Sequence, residues 1–262
     1  MNGFRILLQH RRLIWHLMLL DFKVRYAGSH LGLAWMIVGP VMILVSYLIV
    51  FGSILRIQPT PGLSSFDYAV LVTCGLLPWL GFSEGMMSGT NSVLAHRNLM
   101  KGQIFPMELI PVTAVCSGMV GQLVGTTVLL LVLGFRGSLG VSLVWIPGLV
   151  LFQAMLTIGM VWMLSCVNIL VRDLSQILRL GMVLLMFVSP IAYTSQMVPH
   201  GLNWAIGLNP LTFVIDSYRD VVLYGKSPQP VGLVVFSGFA LAAFHLGYDY
   251  FMRLKKIIPD LL

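Results

Sequence analysis

Apolar residues in this chain run in long, nearly unbroken blocks. No charged residue occurs from Leu31 to Leu55, from Val112 to Phe135, or from Val141 to Val171. Blocks of this length fit the ~20 residues that carry an α-helix across a hydrocarbon core of ~30 Å. An outer-membrane barrel would instead show short alternating segments. The pattern predicts six spans, at roughly 32–55, 66–90, 108–134, 143–168, 177–194 and 231–252. Pro78 is expected to kink the second, with neighbouring helices satisfying the freed backbone groups, and Glu84 falls toward its end.

Two further segments are apolar without spanning. Residues 4–24 have a helical pattern: Arg5, Gln9, Arg12, His16 and Lys23 share one face, with Leu7, Ile14 and Met18 opposite. This predicts a helix lying in the interface with its basic face toward anionic headgroups. Between the last two spans, Pro199, Pro210, Pro228 and Pro230 separate the apolar pieces Leu202–Leu208 and Leu211–Ile215. Neither piece is long enough to cross, so short re-entrant helices are expected.

Composition places the chain firmly in the membrane. Its 262 residues are 58% hydrophobic and 10% charged, far below the quarter expected of a soluble domain. The net charge of +7 is explained by basic cytoplasmic loops and needs no nucleic-acid partner. With the N-terminus inside, Arg5, Arg11, Arg12, Lys23, Arg25, Arg97, Lys101, Arg172, Arg179, Arg253, Lys255 and Lys256 lie on the inner side. Arg56, Arg136, Arg219 and Lys226 lie outside. The imbalance predicts that both termini are cytoplasmic. Arg11, Arg12, Asp21 and Lys23 interrupt any signal-peptide core, so no cleavable leader is expected. Cys74, Cys116 and Cys166 are isolated within spans and read as structural thiols, without a metal site.

Chemistry-bearing motifs are sparse. Gly225-Lys226-Ser227 lacks the first glycine of a phosphate loop, which would fall at Asp220. There is no H-E-x-x-H, C-x-x-C or G-x-S-x-G motif, so no catalytic residue and no bound cofactor are expected. Charge-free spans also disfavour an enzyme working at membrane depth, such as a glycolipid-modifying one, and a proton-relay transporter. Gly81, Gly85 and Gly89, and again Gly121 and Gly125, recur every four residues, which lets helices approach closely. Asn91–Pro111 mixes His96, Arg97, Lys101 and Glu108 with Leu94, Leu99, Met100 and Phe105, a blend suited to a helix seated in a partner's groove. Asp216, Arg219 and Asp220 are spaced for local ion pairs. Tyr26, Trp35, Trp79, Trp145 and Trp204 fall near membrane interfaces.

The order of several short motifs resembles the membrane (permease) subunit of ABC polysaccharide exporters. This family exports lipid-linked O-antigen, capsular polysaccharide or teichoic acid. The motifs are Asp21-Phe22-Lys23-Val24-Arg25-Tyr26 with Gly28, Ser29, Leu31, Gly32, Trp35 and Pro40, then Gly75-Leu76-x-x-Trp79. Phe105-Pro106-x-Glu108-x-x-Pro111 and Val171-Arg172-Asp173 follow. Ser189-Pro190-Ile191-x-Tyr193, Asn209-Pro210-Leu211 and Tyr218-Arg219 complete the set.

The resemblance implies one transmembrane domain over residues 1–262 of an all-α protein in the bacterial inner membrane. It comprises an N-terminal interface helix (1–30), a cytoplasmic coupling helix (91–106) between spans 2 and 3, and an outer re-entrant region (195–230). A homodimer would pair with two copies of a separate ATPase subunit, which carries the ATP and Mg. Leu94, His96, Arg97, Leu99, Met100, Lys101, Phe105 and Glu108 would couple to that subunit. Arg25, Tyr26, Gly28, Gly32 and Trp35 would sit where the lipid-linked glycan reaches the channel, with Gly28 and Gly32 allowing close packing. Pro190, Tyr193, Asn209, Pro210, Tyr218 and Arg219 would form an outer gate. An exporter of another amphiphile, lipid or drug, shares most of these features.

Overall fold

The computed structural model describes residues 3–25, 28–47, 49, 64–97, 106–137, 140–171, 173–194, 201, 203–255 and 257. Its elements are all helical. In chain order they are α1 (Gly3–Gln9), α2 (Arg11–Arg25), α3 (Trp35–Tyr47), α4 (Ser65–Ala95) and α5 (Leu109–Phe135). Then come α6 (Ile146–Leu170), α7 (Leu174–Val188), α8 (Asn203–Leu208), α9 (Pro210–Val222) and α10 (Pro230–Leu254). Among the described residues, four helices are long and apolar enough to cross a membrane: Phe66–Ala95, Leu109–Phe135, Val141–Leu170 and Pro230–Leu254. The protein is thus an all-α, multi-pass membrane protein.

Local chemistry explains where the elements begin. Ser64 and Asp67 form a reciprocal capping box at the start of α4. Asn209 caps α9 through its side-chain oxygen, and Pro210 occupies the first turn, where a missing N–H costs nothing. The N-terminal amphipathic stretch forms two helices separated at His10, with Phe4 stacked on Phe244 of α10 at 4.8 Å.

The bundle is built on α4. It packs most extensively against α5 and α6, and α6 packs against α10. Small residues set the spacing. A Cβ at Gly118 would lie 2.7 Å from the Gly85 nitrogen, and one at Gly247 would strike the Gly159 carbonyl. The four-residue glycine spacing therefore serves packing within the subunit along Gly81, Gly85 and Gly89.

Two expectations change. α4 extends past the predicted end of the second span to Ala95, which leaves Glu84 farther from its end than expected. The fifth predicted span, 177–194, is a helix only from Leu174 to Val188, ~22 Å by helical rise. It stops because a proline restricts the residue before it to extended conformations: Ser189 has ψ 135°, ahead of Pro190.

Candidate functional site

Interlocking contacts draw Pro190, Asn209, Tyr218 and Arg219 of the expected gate into one region, at the end of the bundle where α4 and α10 begin. Arg219 is its centre. The guanidinium, on a residue 3% exposed, donates to the carbonyls of Pro190 (2.5 Å), Ile191 (2.9 Å) and Leu71 (3.4 Å). It also pairs with the Asp216 carboxylate at 3.3 Å. Burial pulls its pKa downward, and the nearby Asp216 charge opposes that shift. Asn209 Nδ2 donates to Ser189 Oγ at 2.8 Å while its oxygen accepts the Leu211 N–H. Tyr193 folds back along α7, its hydroxyl donating to the Val188 and Phe187 carbonyls at 2.8 and 3.1 Å. The turn that ends α7 is thus tied to α4 and α9 through its own backbone carbonyls.

Behind Arg219 lies a polar centre that sequence reasoning missed. Gln122 and Gln153 exchange amide hydrogen bonds at 3.0 and 2.9 Å. Gln122 also donates to the Tyr218 hydroxyl (3.1 Å), and Gln153 to the Pro78 carbonyl (2.9 Å). Both glutamines are fully buried. Gly81 makes room for the Gln122 side chain, which would collide with any Cβ there. The available signal was two uncharged glutamine amides, each the sole glutamine of its charge-free block. Such groups need partners inside a membrane.

At the opposite end of the bundle, Glu108 is buried ahead of α5. Its carboxylate meets Lys255 Nζ at 2.6 Å, and its carbonyl accepts the Trp162 indole N–H at 3.0 Å. Asn168 joins α6 to α4 through the Thr90 carbonyl and Asn91 Oδ1, each at 3.2 Å. Leu94 and His96 are half-buried, and Arg97 is exposed. His96 Nδ1 lies 2.8 Å from the Ser92 carbonyl. Leu99, Met100, Lys101 and Phe105 lie outside the described residues.

Of the expected access residues, Arg25 ends α2, while its side chain and Tyr26 lie outside the described residues. Among the described residues, no heavy atom comes within 4 Å of a Cβ built at Gly28 or Gly32, so neither glycine makes a close helix contact there. Their φ values of 77° and 49° give the reason for glycine: both turn the chain through left-handed backbone. Within that turn, Trp35 Nε1 donates to Ser29 Oγ at 3.0 Å, beside the start of α3.

Residues 12–223 match the family described as "ABC-2 type transporter". The chain belongs to the ABC-2 type transporter family. Within that family it is 31% identical to an O-antigen export system permease protein RfbA of Klebsiella pneumoniae, over 92% of both chains. A second Klebsiella pneumoniae protein of the same name is 30% identical over 92% of both chains. A Myxococcus xanthus namesake is 26% identical over 90% of both. As an ABC-2 type transporter, the chain is a membrane transport subunit rather than an enzyme. The matched region takes in both clusters, from Glu108 to Arg219, and stops short of Lys255.

Proposed function

We propose that this chain is the membrane-spanning subunit of an ATP-driven exporter of lipid-linked polysaccharide in a bacterial inner membrane. It works as a homodimer with two copies of a separate ATPase subunit, which supplies ATP hydrolysis with Mg. The observation that carries this reading is the likeness, over 90–92% of each chain, to proteins named as O-antigen export permeases. The charge-free runs of α3, α5 and α6 support it, since a polymer conduit needs no relay of titrating groups through them.

The finer architecture follows the same reading. Residues 1–262 act as one transmembrane domain of six spans. α3 and α7 begin the first and fifth beside the four long helices. Twelve of the sixteen basic residues lie in segments assigned to the cytoplasm, which supports internal termini. The packing of α1 on the C-terminal half of α10 is consistent with both termini lying on one side. Residues 91–106 receive ATPase motion, 1–30 border the glycolipid's access route, and 195–230 form the outer gate around Arg219.

The test is genetic. In source cells lacking this protein, lipid-linked glycan should accumulate on the cytoplasmic side and vanish from the surface, and the intact gene should restore export. Undiminished surface glycan in the deletion strain would refute the proposal.

A further inference from the structure

The opposite bundle end holds a second constellation that links the coupling region to the last span. Leu109 N bonds the Pro106 carbonyl at 3.0 Å and Ile110 N the Met107 carbonyl at 3.1 Å, so residues 106–110 form a stiff turn. Glu108 stands at the head of α5, where its negative charge complements the positive helix end. Lys255 stands at the tail of α10, where its positive charge complements the negative end. The two meet at 2.6 Å, with side-chain exposures of 7% for Glu108 and 29% for Lys255.

Other contacts converge on this joint. Trp162 of α6 reaches the Glu108 carbonyl and lies edge-on to Tyr248 of α10, with ring centroids 5.4 Å apart. Tyr248 also meets α1, since a Cβ at Gly3 would lie 3.2 Å from its ring. A displacement arriving at Pro106 therefore meets α5, α6, α10 and α1 together.

We propose that Glu108 and Lys255 are a positioning pair that passes movement of the coupling segment to the last span and the N-terminal helix. The inference rests on the reading of residues 91–106 as the ATPase-coupling region. A carboxylate–ammonium pair transmits both push and pull because separation would leave a buried Glu108 charge without its partner. Neutral packing at the same place would slide instead.

The experiment uses the full chain copurified with its ATPase subunit, together with surface glycan in source cells. Lys255→Gln keeps most of the side chain's bulk and sits at a half-exposed helix end, so it should fold and assemble. Surface glycan should fall on the order of tenfold, in the range of an ordinary coupling effect, while MgATP hydrolysis by the purified complex continues. Lys255→Arg should retain export. Glu108→Lys alone should fail, and combining it with Lys255→Glu should recover much of the loss. Recovery should stay incomplete, because each swapped charge then opposes its own helix dipole.

Unchanged export in Lys255→Gln would overturn the pair's role. So would a double exchange no better than Glu108→Lys in an assembled complex, or export falling only in proportion to thermal stability. Failure of the underlying coupling reading would look different. The ATPase subunit would not copurify with the unmodified chain, or Arg97→Glu would leave export intact.

Discussion

α7 and α9 are short neighbours of similar length, fifteen and thirteen residues, yet the bundle treats them in opposite ways. α9 buries Leu211, Val214, Ile215, Tyr218, Val221 and Val222, together with the polar Ser217 and Arg219. α7 buries only Met182, while Leu180, Leu184 and Phe187 are each more than two-thirds exposed. The more polar helix is the more deeply embedded. Burial here follows the availability of hydrogen-bond partners: Arg219 finds three carbonyls and a carboxylate, and Tyr218 finds an amide. An apolar helix in a lipid setting is under no such compulsion, since hydrocarbon satisfies its side chains as well as protein does. Its outward face remains available to lipid or, in the proposed homodimer, to a second copy.

Substitutions can break this contrast at different strengths. The largest effect is expected at Arg219. Arg219→Ala removes the donor to the Pro190 and Ile191 carbonyls, a loss of about 2–4 kcal/mol. Thermal unfolding of the detergent-purified subunit should register it as a large fall in Tm, and an unchanged Tm would remove Arg219 as the anchor of α9. Next comes Gln153→Leu, which strands the Gln122 amide and should destabilise by about 1–3 kcal/mol. The same melting assay checks it; a stabilised variant would mean that the amide pair is dispensable for holding the core. The smallest effect is expected on α7, where Leu184→Ala should stay within about 0.5 kcal/mol of the parent. Leu184→Glu then sharpens the comparison: the subunit should still fold while cross-linking between two copies drops. Intact cross-linking would place the seam of the homodimer elsewhere.

Much of this arrangement was legible in the chain. The long apolar runs located α5, α6 and α10 to within a few residues, because span length answers to bilayer thickness and little else. Pro210, read as a break between two apolar pieces, falls in the first turn of α9, with Asn209 as its cap. The glycine spacing correctly pointed to close helix approach, although Gly28 and Gly32 proved to be turn glycines, since backbone torsion leaves no separate mark in a lone sequence. Gln122 and Gln153 passed unnoticed for a related reason. Each looks like an isolated polar defect, and they are 31 residues apart. The Arg219 contacts were harder still, because three of its four partners are backbone carbonyls, which carry no residue signature.

What the sequence determined by itself, then, was the medium and the periodicity. Hydropathy decides which segments enter lipid, and the distribution of Lys and Arg decides how they are oriented, because both act on each segment independently. Only the tertiary structure decided which polar groups meet. Leu71, Pro190 and Arg219, or Glu108, Trp162 and Lys255, come together through the antiparallel threading of helices. That threading is settled by packing across the whole bundle, with Gly85 against Gly118 and Gly159 against Gly247. A one-dimensional pattern can reveal that a buried charge needs a partner, but the choice of partner is made in three dimensions.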